Sequence, residues 1–176
     1  MRCPQAPQRQ SGFSLMELTI GVVLLGMLGV IGSTMIASSF FTTRVIGNEQ
    51  LAYSAARYAM ERMRREVREI RYDATSGTVK ITAMSASQLS FEKSGVAGNT
   101  DVTLQYLSPS ISLVYPPAAA ATLSNDISSF AFTYLDANRQ VTAVANSVRY
   151  IRIAFTVSPS QAQPLSLVTQ VSLRNL

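Results

Sequence analysis

The sequence predicts an α+β protein: one long N-terminal helix, membrane-spanning in its first half, packed in its second half against a C-terminal antiparallel β-sheet head. Three observations predict it. No charged residue occurs from Leu18 to Thr43, a run of 26 residues, and a membrane-spanning helix needs about 20. From Arg44 to Tyr72 there is no proline, and small or apolar residues recur at spacings of three and four, the period of a helix with one buried face. After Gly77 the apolar pattern changes to period two, interrupted by turn residues, as half-buried strands require.

Composition narrows the class further. The chain has 176 residues, 47% of them hydrophobic and 14% charged. That length can bury a real core, and low charge with positive mean hydropathy excludes a disordered chain. The net charge is +5, from 15 basic and 10 acidic residues. Arg2 and Arg9 precede the apolar run; without them 13 basic residues face 10 acidic ones, leaving +3. Arg57, Arg62, Arg64, Arg65, Arg68 and Arg71 are interleaved with Glu61, Glu66 and Glu69. Such mixing reads as a solvated helix face rather than a nucleic-acid patch. There is no His, no Trp and one Cys, Cys3, which has no internal partner for a disulfide.

Residues 1–12, MRCPQAPQRQSG, are short, polar and weakly basic. The apolar run that follows is diluted by Gly21, Gly26, Gly29 and Gly32, and Ser33, Thr34, Ser38 and Ser39 make its second half more polar. Small residues at such spacing let helices approach closely in lipid. An ordinary secretory signal fits less well. Ser11 to Glu17 separates the basic residues from the apolar run, the carboxylate of Glu17 stands at its head, and no small-residue cleavage site closes it.

The next stretch is more helix. Ala52, Ala55, Ala56, Ala59, Met60, Met63, Val67 and Ile70 form one stripe, and Arg57, Arg62, Arg64, Arg65 and Arg68 lie opposite. Glu61–Arg65, Arg62–Glu66 and Arg65–Glu69 are four apart and support the helix slightly. A basic amphipathic helix can lie on a membrane surface, but this stripe is narrow and rich in Ala, which suits close packing under a sheet. An unbroken helix from about Ser14 to Tyr72 would be roughly 85–90 Å long, so half of it is expected to project from the globular part. It is expected to stop softly over Asp73 to Gly77.

Candidate strands are residues 78–84, 88–93, 101–107, 111–115, 127–135, 148–157 and 165–173. Short connections make most neighbours antiparallel. In the sixth, Ile151, Ile153, Phe155 and Val157 face one way, with Val148, Tyr150, Arg152 and Ala154 opposite. Asn138-Arg139 and Pro159-Ser160 mark turns. YPPAAAATLSND, residues 115–126, is expected to be a loop or a linker between two sub-sheets.

Gly12-Phe13-Ser14-Leu15-Met16-Glu17-Leu18, followed by the apolar run, resembles the class III signal of type IV prepilins and type II secretion pseudopilins. The family pattern is a Gly, a cleavage, then Phe-(Thr/Ser)-Leu-x-Glu at the head of a long hydrophobic helix. Gly12, Phe13, Ser14, Leu15 and Glu17 match it in register. SAARYAMERMRREVREIR (54–71) and the closing VSLRNL (171–176) are similar, less specifically, to minor pilins of the PilW, MSHA-minor-pilin and J-pseudopilin kind.

The resemblance implies a pilin-like fold and a definite life history. A prepilin peptidase would cut between Gly12 and Phe13 and methylate the new amine of Phe13. Residues 1–12 would be the leader, discarded together with Cys3. Residues 13–43 would be the transmembrane and assembly half of the helix, 44–73 its amphipathic half and 74–176 the head. The chain would sit in the bacterial inner membrane with a periplasmic head. It would then join other pilins or pseudopilins through the helix, with an assembly platform as a further partner. Glu17 would meet the Phe13 ammonium of a neighbouring subunit, since a lone charge in lipid needs a partner. Many major pilins carry a Pro in the apolar helix and a C-terminal disulfide. This chain has no Pro from Phe13 to Ser108 and no Cys after Cys3, which favours a minor subunit that helps initiate or cap a fibre.

Other function classes fit poorly. No phosphate loop, nucleophile elbow or His is present for catalysis; Glu92 and Asp101 could still meet in space as a carboxylate pair, but no enzyme and no cofactor are expected. Asp101, Asp126 and Asp136 are isolated, giving no calcium-binding set, so no metal is expected. The alternative is a DNA-uptake pilin holding DNA through the Arg57–Arg71 cluster, with Arg64 and Arg68 as the test positions. Nucleic acid is not the expected partner.

Overall fold

The structure is a computed structural model that describes residues 14–95, 98–160 and 163–174. Gly12 and Phe13, the expected cleavage and methylation positions, lie outside the described residues. The chain forms two units, residues 1–44 and 45–176. Helix α1, Leu15–Arg68, supplies the described part of the first unit and the opening of the second.

In the first unit α1 starts on Ser14, whose Oγ accepts a hydrogen bond from the Met16 amide at 3.2 Å. The Leu18 amide closes the first helical turn on the Ser14 carbonyl at 3.1 Å. The apolar residues that follow are left uncovered by the described residues: Leu15 is 81% exposed, Leu25 75% and Phe40 68%. The hydroxyls that dilute this stretch do not hang free. Thr19, Ser33, Thr34, Ser38, Ser39, Thr42 and Thr43 each donate to a backbone carbonyl three or four residues back, at 2.8–2.9 Å. A side chain bonded to its own helix leaves no unpaired donor, the condition for entering lipid.

In the second unit the expected stripe is the buried one. Ala56, Ala59, Met63 and Val67 are fully buried, with Ile70 just beyond the helix, while Ala52 and Met60 pack at its margin. The helix stops at Arg68, four residues short of the expected Tyr72. Glu69 and Ile70 make tightened bonds to carbonyls three residues back. Ile70 then bridges Lys93, and the Arg71 amide donates to the Glu92 carbonyl at 2.9 Å. Strand pairing takes the backbone from a helix that its local sequence would have continued.

Strands β1 (Tyr72–Asp73) and β2 (Thr78–Val79) make a small antiparallel ribbon. Its turn is held by Asp73 Oδ1, which accepts from the Thr75 amide at 3.0 Å. Gly77 supplies the left-handed residue at φ 63°. Hydrogen bonds from Ser76, Lys80 and the Thr75 amide hold the Asp73 carboxyl down to about 2. The expected strand 78–84 is split at Lys80, whose amide donates to the Arg71 carbonyl and whose carbonyl accepts from the Glu92 amide, both at 2.9 Å.

Five strands form one antiparallel meander: β3 (Ile81–Met84), β4 (Gln88–Gly95), β5 (Gly98–Leu107), β6 (Ser110–Val114) and β7 (Ala121–Ser124). Register aligns one apolar row across it, Leu89 opposite Leu104 and Leu104 opposite Leu113, with Phe91 opposite Val102 beside it. All five residues are buried. Strand β7 corrects the sequence reading, which placed residues 115–126 in a loop. Leu113 pairs with Ala121 and Ser112 with Thr122. The alanines give weak strand propensity, but the open edge of β6 offers backbone partners, and Ser124 is buried at 3%.

The second sheet is antiparallel in the order β10-β9-β8, from β8 (Ile127–Leu135), β9 (Tyr150–Val157) and β10 (Leu165–Ser172). Ile151, Ile153, Phe155 and Val157 are all buried, as alternation predicts. Val148, read as facing away from them, is fully buried too; it precedes β9, so the strand's alternation does not govern it. The expected turn at Asn138-Arg139 is present, with Asp136 Oδ1 accepting from the Asn138 and Gln140 amides at 2.8 and 2.9 Å.

Aromatic and polar contacts join the sheets. Tyr106 stacks on Phe130 with ring centres 5.4 Å apart. The Tyr134 hydroxyl donates to the Ser85 carbonyl at 2.8 Å, and burial pushes that phenol well above its ordinary range. One continuous core therefore runs from Ala56 and Met63 through both sheets to Val171.

Candidate functional site

The first candidate site is the head of α1. Glu17 is its third residue, exposed, and the one acid in the first turn. Its carboxylate has no hydrogen-bond or ion-pair partner among the described residues, whereas the Ser14 cap below it is satisfied. Ser14-x-x-Glu17 is also the pattern of a capping box, a helix-start signal carried by the sequence itself. A carboxylate in a first turn is favoured by the helix dipole, so Glu17 helps set where the helix begins whatever else it meets.

Beside it, Leu18, Gly21, Val22, Leu25 and Gly26 line a shallow apolar groove that includes Glu17. A Cβ at Gly21, Gly26, Gly29 or Gly32 would meet nothing within 4 Å. Packing among the described residues does not require these glycines. Among the described residues, α1 is the one helix long and apolar enough to cross a membrane, and it lies near the N-terminus.

The second candidate region lies along residues 57–71, where the structure corrects the picture of charged residues confined to a solvated face. Glu66 is 1% exposed. Its Oε1 is 2.9 Å from Arg62 Nη2 and its Oε2 is 3.1 Å from Lys93 Nζ on β4. Arg62 Nη2 also donates to the Tyr115 hydroxyl at 2.9 Å, and Lys93 also reaches Glu69. Burial alone would lower the Lys93 ammonium, but the hydrogen bonds to Glu69 and Glu66 outweigh it and raise it. Of the three expected four-apart pairs, Arg62–Glu66 forms. Glu61 pairs instead with Arg64 at 3.4 Å, and Glu69 with Lys93. Position could have flagged Glu66: it stands three residues after Met63 and four before Ile70, on the buried stripe.

The carboxylates considered for chemistry behave differently. Glu92 and Asp101 do come together, directly opposite in the β4–β5 register. Glu92, however, is tied to Arg71 at 2.8 Å, an arrangement that positions β4. Asp126 and Asp136 lie at turns in different parts of the head. Among the described residues no group of three His, Cys, Asp or Glu side chains is placed to hold a metal ion.

Arg64, Arg65 and Arg68 share a cleft with Arg174 and Ser172 at the end of β10, and Glu61 and Glu69 border it. The contribution of the chain's far end was not visible from the helical arginines alone.

No protein-family model matches the chain, and no curated protein matches it.

Proposed function

We propose that the chain is a minor pilin or pseudopilin. It would be a non-catalytic subunit of a type IV pilus-like or type II secretion fibre, cut between Gly12 and Phe13, methylated on Phe13 and anchored in the inner membrane before assembly. One observation carries the reading: the Gly12-Phe13-Ser14-Leu15-x-Glu17 motif coincides with the start of α1, at a lone exposed carboxylate heading an uncovered apolar helix. A secretory signal discards its apolar segment after cleavage. Here a cut before Phe13 leaves that segment in the product, where it can serve first as membrane anchor and then as packing surface. Glu17 would pair with the Phe13 amine of the next subunit, fixing register more than adding stability, because a buried pair pays its desolvation cost. The open glycines would let neighbouring helices approach.

The test is the N-terminus of the membrane-extracted chain, by intact mass and peptide sequencing, from cells with and without a prepilin peptidase. A mature start at Phe13 with one methyl group, found only when the peptidase is present, is the expected result. A start at about residues 35–40 would mean that the apolar run is a discarded signal and would end the proposal. The DNA-uptake alternative draws on the Arg64–Arg68 cleft. Glu61 and Glu69, one on either side of these arginines along the helix, interrupt the continuous basic track that a phosphodiester backbone follows.

A further inference from the structure

We propose that the cleft between the outer face of α1 and the end of β10 binds a compact polyvalent anion of the phosphate class. It has a volume of about 640 Å³ and is lined by Glu61, Arg64, Arg65, Arg68, Glu69, Ser172 and Arg174. The inference goes beyond the fibre reading and stands without it.

The convergence of guanidinium groups carries the argument. Elsewhere in the head, Arg62 has Glu66, Arg71 has Glu92, Lys80 has Asp73, and Lys93 has Glu66 and Glu69, half-buried Arg149 donates to the Asn146 and Val148 carbonyls, and the exposed Arg57 and Arg152 stand apart from the cleft. In the cleft the supply is already committed. Glu61 is held by Arg64, and Glu69 by Lys93. Arg65, Arg68 and Arg174 have no carboxylate within 4 Å among the described residues, and all three are exposed. Arg65 and Arg68 are three apart, and Arg64 and Arg68 four apart, so like charges crowd one helix face, an arrangement that weakens a helix. An anion relieves that repulsion.

The chemistry of the lining selects the ligand. Guanidinium groups present planar forks that match phosphate oxygens two at a time, and the Ser172 hydroxyl adds a donor. Among the described residues no aromatic side chain lines the cleft, so those residues offer no stacking platform for a base. The bordering glutamates limit the length of anion that fits. The shared chemistry is a small group with two or more ionised phosphate oxygens, whether a soluble phosphate compound or a phospholipid headgroup.

The full-length chain in uncharged detergent micelles would be titrated with pyrophosphate by calorimetry at constant ionic strength. Saturable binding is expected, weakened by about tenfold or more in Arg65→Gln/Arg68→Gln, because each lost fork removes charge-assisted hydrogen bonds. Arg174→Gln should also weaken it, since the cleft needs the strand end. Arg57→Gln/Arg152→Gln removes the same net charge from other exposed positions and should leave binding unchanged. Melting curves of all variants report whether they fold. Displacement of pyrophosphate by micelles doped with phosphatidic acid, whose phosphomonoester headgroup can ionise twice, would identify a headgroup as the source; no displacement would identify a soluble phosphate. Absence of saturable binding would overturn the proposal. So would equal losses in the two double variants, or binding confined to single-stranded DNA and growing with its length.

Discussion

Replacing Glu66 with Gln removes the charge at the centre of the buried network while keeping the side chain's volume and one acceptor oxygen. Breaking a fully buried ion pair by removing one partner costs about 3–5 kcal/mol, because the other charge is stranded. Here the cations are not fully stranded. The side chains of Arg62 and Lys93 are 28% and 23% exposed. Arg62 keeps the Tyr115 hydroxyl at 2.9 Å, and Lys93 keeps Glu69. The expected loss is therefore about 2 kcal/mol, the scale of a charge-assisted hydrogen bond. In a domain of this size that lowers Tm by about 6–8 °C. Calorimetric melting of the full-length chain in micelles would measure it, alongside Lys93→Met and the double variant. The two side chains touch, so the cycle should show a coupling of about 1 kcal/mol. A Tm within about 2 °C of the parent, or strictly additive single effects, would refute the view that Glu66 ties α1 to β4.

Three further outcomes are expected. Glu17→Ala should leave the melting of residues 45–176 unchanged, because Glu17 belongs to the other unit of the chain, while incorporation into sheared fibres falls by about tenfold, roughly 1.4 kcal/mol; unchanged incorporation would remove Glu17 from assembly. Gly21→Leu places a Cβ where none of the described residues lies within 4 Å and should favour the isolated helix by somewhat under about 1 kcal/mol, yet reduce fibre yield; circular dichroism and fibre yield read the two effects separately. Asp73 has a folded pKa of about 2 against an ordinary value of 3.8. Its stabilising effect is therefore full above 3.8 and is lost as pH falls through about 2. The Asp73→Asn variant should lack that part of the acid response, and an NMR titration of the carboxyl should place its midpoint near 2.

Local pattern alone made several features legible. A charge-free run from Leu18 to Thr43, a stripe repeating at three and four, and strict alternation in residues 151–157 are each produced by one element's own geometry. Short-range periodicity therefore announces the long helix, its buried face and the antiparallel head. The motif around Glu17 is likewise local, its residues being contiguous in the sequence.

What the tertiary structure decided involves groups far apart in sequence. The helix ends at Arg68 because the backbone beyond it is claimed by Glu92 and Lys93, a competition that no window around residue 70 contains. Ala121–Ser124 became a strand because β6 had an open edge. Glu66 became a buried anion because Lys93 reached it from another element, and the helical arginines acquired Arg174 from the end of the chain. Propensity and period arise from neighbours along the chain. Charge pairing and edge pairing arise from neighbours in space, and folding chooses those.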